Sequence, residues 1–270
     1  MSFKEVKELR KSARLEEALI MAQQELDQEP DNIWNKRSIA WVYHDYLKKN
    51  SSISNFPQFI EYLEKLNSLD LSADEKMVFD NCAYQVGKLL FEIAKQDRVD
   101  YSKVNKLFDS VKGFHFTVPS ESYTFIYKAF HKTHKEWTQY LAFADWWGFD
   151  NFRSQDYLEE EYKGKKIMSL VEQAHNAYAK KLIESNATHS GHQAPDNNEQ
   201  IIRFQTRLDR IIVDNPEYQY PPYYKAKLML EVGDNDNVLQ VFVPFAKQKR
   251  NDFWVWDLMS DIFPESDDRK

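Results

Sequence analysis

The chain carries a single cysteine, Cys82, and only six glycines and nine prolines in 270 residues. One thiol makes no intramolecular disulfide and no cysteine-based metal site, and its apolar-patterned surroundings predict a buried structural thiol. So little glycine and proline leaves scant material for the tight turns of an all-β fold. Long hydrophobic runs are also missing: no stretch approaches the roughly 20 apolar residues of a membrane span. The N-terminal sequence MSFKEVKELRKSARLEE is charged throughout and contains no apolar signal region. A cytoplasmic protein with no membrane partner is the expectation. Asn50-Ser51-Ser52 and Asn186-Ala187-Thr188 match the glycosylation sequon, which has no role without secretion. An excess of positive charge is absent as well. A net charge of −7 gives no long-range attraction to phosphate backbones and leaves any nucleic-acid partner to local basic patches.

What the chain has in quantity is aromatic side chains and helical periodicity. Aromatics make up 15% of the residues, which predicts a core built on large rings. Apolar residues at Phe3, Val6 and Leu9, then at Leu15, Ala18, Leu19, Ala22 and Leu26, follow three-and-four spacing broken at Lys11–Arg14. Two helices joined by a short turn are predicted there. Asp31-Asn32 supplies N-cap residue types for a third helix, with an apolar face of Ile33, Ile39, Ala40, Val42, Tyr43, Tyr46 and Leu47. Another helix carries Phe59, Ile60, Leu63 and Leu66. Ser72-Ala-Asp-Glu75 reads as a capping box opening a long helix from Met77 to Ile93. Helices follow at about 101–112, 120–135 and 136–147, the last stopped by Gly148.

Residues 149–164 read as irregular and charged, and Ile167, Leu170, Val171, Ala174, Tyr178 and Leu182 as an amphipathic stripe. The polar segment around 186–199 is the expected linker between an N-terminal and central array, 1–185, and a C-terminal part, 200–270. The C-terminal part shows a helix through Ile201, Leu208, Ile211 and Ile212. Three more follow at about 222–232, 236–249 and 253–263, with Pro222 suited to a first helical position and Pro244 expected to kink its helix. No segment alternates as a sustained strand, and the expected class is all-α.

Chemistry-bearing motifs are sparse. His131 and His134 lie three apart on a predicted helix but lack a third ligand and the H-E-x-x-H pattern, so a solvated helix surface is expected rather than a metal site. His189 and His192, in the linker, are weaker still. The YKGKK sequence at 162–166 has no preceding glycine-rich loop or strand and is not a phosphate loop. Neither G-x-S-x-G nor G-x-G-x-x-G occurs, and no acid–base carboxylate pair stands out. No catalytic residue, cofactor or metal is assigned.

The most unusual stretch is EWTQYLAFADWWGFDNF, residues 136–152. Adjacent helical residues point about 100° apart, so Trp146 and Trp147 cannot both face one core. Either one of them lines an exposed groove suited to peptide or base stacking, or the segment is sandwiched between helical layers that bury both. Lys128, Lys132 and Lys135, with His131 and His134, form a basic helix face beside it.

An internal echo organises the ends of the chain. A shift of 220 residues carries Ala13 onto Gly233, Ala18 onto Val238, Trp34 onto Trp254, Ile39 onto Met259, Ala40 onto Ser260 and Tyr43 onto Phe263. This arrangement resembles the tetratricopeptide repeat (TPR) family. The matching features are a small residue at the hairpin turn (Ala13, Gly233), Ala18 where helices pack closest, Pro30 after the second helix, and a large–small–aromatic pattern on the next helix. Val238 and Arg250 depart from it, and the middle of the chain, about 55–185, shows no 34-residue period. The resemblance implies antiparallel helical hairpins in an α-solenoid, irregular in the middle. It implies a non-catalytic scaffold that binds a peptide or partner helix on a concave face. Asn35, Lys36, Tyr43 and Asp257 are the expected residues of that face, with Lys128, Trp146 and Trp147 as a central site. The last repeat shows its first helix without its second, so the chain is expected either to end in a capping helix or to be the front of a longer protein. The alternative is a regulatory or targeting region of a larger nucleic-acid-processing or defence-type protein. An all-α enzyme is a third reading, which lacks a nucleophile–base constellation.

Overall fold

A computed structural model describes residues 2–188 and 195–262. His189, His192, Phe263 and the PESDDRK tail lie outside the described residues. The chain divides into two units, Met1–Arg153 and Ser154–Lys270. The boundary expected at 186–199 therefore falls inside the second unit. The helices flanking it run to Thr188 and from Pro195, which leaves much less linker than the polar composition implied.

The first unit opens with α1 (Ser2–Lys11), α2 (Leu15–Gln28) and α3 (Ile33–Lys49). Ala18 and Ala22 are fully buried between them, where the absence of a long side chain lets the helices approach. The turn after α1 puts Ala13 in the left-handed region at φ 57°. Arg14 N donates to Leu9 O at 2.9 Å and Ala13 N to Arg10 O at 3.1 Å, the paired bonds of a Schellman stop. Asn32 caps α3, its side-chain oxygen accepting from Trp34 N at 2.9 Å. Ile33 is 42% exposed, whereas the rest of the expected α3 face is buried.

A 3-10 turn at Ile53–Asn55 leads to α4 (Phe56–Ser68), then α5 (Lys76–Ile93), α6 (Tyr101–Val111), α7 (Glu121–His131) and α8 (Tyr140–Trp147). The expected capping box does not form. Glu75 makes no side-chain cap at α5. Its carboxylate instead takes a forked pair from the Arg37 guanidinium on α3, with Nε to Oε2 at 2.8 Å. A two-point ionic contact from another helix outweighs one neutral back-reach. Packing through the middle is staggered: α4 lies on α6, and α5 on α3 and α7. Cys82 is fully buried on α5, and burial pushes its thiol pKa up, as a structural thiol requires. The helices expected at 120–135 and 136–147 are shorter than predicted because residues 132–136 form turns. Gly148, at φ 79°, ends α8.

The second unit contains an unexpected hairpin. β1 (Glu160–Tyr162) pairs antiparallel with β2 (Lys165–Ile167) across Lys163 and Gly164, both at positive φ. Two left-handed residues in a two-residue loop form the turn that matches strand twist. Its many charges hid its period, and Ile167 lies in β2 rather than on the helix that follows. Helices α9 (Leu170–Thr188), α10 (Pro195–Asp214), α11 (Pro221–Glu231), α12 (Asn235–Gln248) and α13 (Phe253–Ile262) complete the unit. Pro221, rather than Pro222, takes the first position of α11, and Pro244 sits inside α12.

The sequence echo has a structural counterpart. The shift of 220 carries α2 onto α12 end for end and α3's first residue onto α13's. Gly233 sits at φ 78°, with Asp234 N on Met229 O and Gly233 N on Leu230 O, both at 3.0 Å. These are the same two bonds that close the turn at Ala13. The edge contact of Phe3 with Trp34 recurs as Tyr223 with Trp254. Ala226, Val238, Phe242, Val255 and Leu258 fill the core of this motif. One stability result follows from the shared turn. Ala13→Gly is expected to stabilise by about 1 kcal/mol and Gly233→Ala to destabilise by a similar amount, because only glycine adopts positive φ without a Cβ clash. Urea unfolding of the two variants checks the opposed signs.

Candidate functional site

Residues 136–152, with α7, build an aromatic block. Trp147 is fully buried. Its ring stacks on Tyr123 at 4.9 Å and meets Tyr127 and Phe152 at 4.6 and 4.5 Å, and its Nε1 donates to Tyr123 O at 3.1 Å. Trp146 is half-buried, ringed by Phe108, Phe116, Tyr123 and Phe143. The adjacent pair thus splits, with Trp147 in the core and Trp146 at its edge. Trp147 is therefore not a surface a partner reaches.

Inside this block lies a polar chain. Tyr127 Oη meets Tyr140 Oη at 2.9 Å, and Tyr140 Oη meets His131 Nδ1 at 2.8 Å. Burial, with His134 and Lys132 adding positive charge, pulls the His131 pKa from 6.5 down to about 3. A neutral His131 has one acceptor nitrogen, and in the tautomer that leaves Nδ1 in that role Tyr140 donates to it and Tyr127 donates to Tyr140. Burial first, and then the Tyr140 neighbour, push Tyr127 well above the ordinary tyrosine range. The expected solvated histidine surface is thus corrected: His131 is 7% exposed and faces the core. His134 stacks on it at 4.6 Å from the turn after α7. No group of three metal-ligating side chains occurs among the described residues. With His131 inside, the basic face is reduced to the lysines and the half-buried His134, and Lys128 is itself half-buried.

The residues expected on a concave face are placed unequally. Tyr43 is buried, with its hydroxyl 3.4 Å from Gln23 Oε1, and it belongs to the packing of α2 against α3. Asn35 is tied down, its amide donating to Glu25 O at 2.9 Å. Lys36 is half-buried and Asp257 is exposed. Six of the seven expected residues lie in the first unit and Asp257 lies in the second, so no single surface within one unit collects them.

Sequence reasoning missed a cleft in the second unit. It has a volume of about 500 Å³ between α10, the loop 215–220, α11 and α12. Ile212, Val241 and Phe245 supply apolar walls, and Glu217, Lys225 and Lys249 bring charge to the lining. The loop is fixed from below. The buried Glu172 carboxylate accepts from Gln219 N at 2.8 Å and Tyr220 N at 3.1 Å, and Tyr218 Oη donates to Tyr157 O at 2.8 Å. Burial raises the Glu172 pKa against the pull of those two amides. Lys249 Nζ reaches Gln219 Oε1 at 3.0 Å across the mouth, and Lys225 pairs with Asp209. The stretch DNPEYQYPPYY signalled only a turn, and its role as a wall comes from long-range contacts that no local pattern encodes.

A family model described as a domain of unknown function, DUF7017, matches residues 219–270, which include α11, α12, α13 and one wall of the cleft. No curated protein matches the chain. Among the described residues, no helix is long and apolar enough to cross a membrane.

Proposed function

We propose that the chain is a non-catalytic, cytoplasmic scaffold of TPR-like helical hairpins that binds an extended segment of a partner protein. The cleft of the second unit is the binding site. The observation that carries this reading is the cleft itself: apolar walls, a charged rim and a loop anchored by Glu172, with α11 and α12 of the motif that recurs at both ends of the chain forming one side. A cleft with apolar walls and several polar groups suits one or two anchoring side chains, and rim charges of both signs suit backbone and polar contacts. The repeated three-helix motif supports the TPR-like part of the reading.

Selection from a random peptide library on the purified chain tests it. Enriched peptides are expected to bind with micromolar dissociation constants. Lys249→Glu is expected to weaken them at least tenfold at unchanged fold, because it reverses charge at the cleft mouth. Peptides whose affinity ignores both Lys249→Glu and Glu217→Lys would place binding elsewhere and remove the cleft from the account.

A further inference from the structure

Helix α10 has two faces of different chemistry. Ile201, Phe204, Leu208 and Ile211 are buried and hold it to the second unit. The opposite face is charged in a fixed order. Glu199, Arg203, Arg207, Arg210 and Asp214 follow one another at spacings of four, four, three and four, so they form a single stripe. Its charges read minus, plus, plus, plus, minus. Arg207 is half-buried and the other four are exposed. Acids outnumber bases in this chain, 43 to 36, so a carboxylate partner is the ordinary fate of an arginine here. Arg10, Arg14 and Arg37 each hold one, on Asp45, Glu17 and Glu75. Among the described residues no carboxylate pairs with Arg203 or Arg210, although Glu199 and Asp214 stand one turn away on the same stripe. On the neighbouring row of the helix, Ile202 is 54% exposed and Val213 is 77% exposed.

We infer that the outer face of α10 docks an acidic amphipathic helix of a partner protein, with carboxylates opposite Arg203 and Arg210 and an apolar edge over Ile202 and Val213. The charge order specifies the occupant. A complementary helix carries plus, minus, minus, minus, plus along the facing stripe. Guanidinium forks take carboxylates through two parallel bonds. Arg203 and Arg210 stand about 10.5 Å apart along the axis, which is the heptad interval of a packed partner helix. A nucleic-acid backbone fits this face less well. It is negative throughout, so Glu199 and Asp214 would repel it, and it makes no use of two exposed aliphatic side chains. None of these residues lines the cleft, so this is a second docking surface of the proposed scaffold.

The test uses the full chain and two dye-labelled helical peptides of about 18 residues, or five turns. Both carry Leu on one stripe, with three Glu and two Lys on the adjacent stripe. One has the order Lys-Glu-Glu-Glu-Lys and the other Glu-Lys-Glu-Lys-Glu. Their composition and total charge are equal, and both orders read the same in either direction, so the docking direction does not matter. The first peptide is expected to bind at least tenfold tighter at low salt, with the gap narrowing as salt rises. Arg203→Glu combined with Arg210→Glu should erase that preference, and Val213→Ser should weaken both peptides alike. These side chains are exposed, so the unfolding transition should barely move. Equal binding of the two peptides by the parent chain, or a preference that survives the double reversal, overturns the inference. So does a single-stranded oligonucleotide that displaces the first peptide and fails to bind the doubly reversed chain, which would make nucleic acid the occupant. A chain that still binds library peptides in the cleft while failing this test loses only the α10 site.

Discussion

Trp147→Ala is expected to destabilise the first unit by about 3–5 kcal/mol, the range for removing a large buried ring that the structure cannot collapse onto. Trp146→Ala should cost less, about 1–2 kcal/mol, because part of that side chain is already in solvent and the edge contacts it makes are fewer. The difference comes from surroundings, not residue type. Trp147 is walled by Tyr123, Tyr127 and Phe152, and its indole N–H is committed to Tyr123 O. Deleting it leaves a cavity among rings and removes one of the hydrogen bonds to Tyr123 O. Urea unfolding of both variants measures the gap, and amide exchange resolved to α7 and α8 assigns it to this unit. Equal costs for the two tryptophans would contradict the burial that separates them.

Acid is the second lever. The unfolded chain protonates a histidine near pH 6.5, whereas His131 in the fold resists protonation until about pH 3. Throughout that window the unfolded state binds more protons, so stability falls as pH falls. The full effect of this one group is on the order of 5 kcal/mol, at a slope of about 1.4 kcal/mol per pH unit. Protonation also turns Nδ1 from acceptor to donor and breaks the direction of the Tyr127–Tyr140–His131 chain. His131→Gln keeps an acceptor near Tyr140 and removes the titration. Its stability is therefore expected to be flat between pH 6.5 and 5, where most carboxylates remain ionised, while the parent chain loses stability. Parallel slopes for the two proteins over that interval would show that His131 does not drive the loss.

The helices were legible in the sequence because three-and-four spacing is a local signal that burial reinforces. The α2 and α12 segments, each preceded by a left-handed stop at Ala13 or Gly233, follow from small residues at fixed offsets. Other features were illegible for physical reasons. Glu75 had two available partners, and only the approach of α3 decided that Arg37 would take it. Glu160 to Ile167 hides its strand period because both faces of the hairpin are polar or exposed, so no hydrophobic alternation exists to read. Trp146 and Trp147 were separable only as a geometric necessity, since nothing in the sequence said which ring turns inward. His131 looked like a helix-surface residue because its neighbours are lysines, yet Tyr140, nine residues on, folds back to receive it. The cleft had no signature at all. Its walls come from segments spread over 209–249, and the carboxylate that steadies its loop is Glu172, on α9.

The central claim is that this chain works by binding another protein. Its most direct test is purification of the tagged chain from its native host, with and without nuclease, followed by sizing and identification of what travels with it. The account predicts a stoichiometric protein partner that survives nuclease, with a low 260-to-280 nm absorbance ratio, and that is lost from Lys249→Glu chains. Nucleic acid that leaves with nuclease or salt, with no protein partner retained, would contradict it.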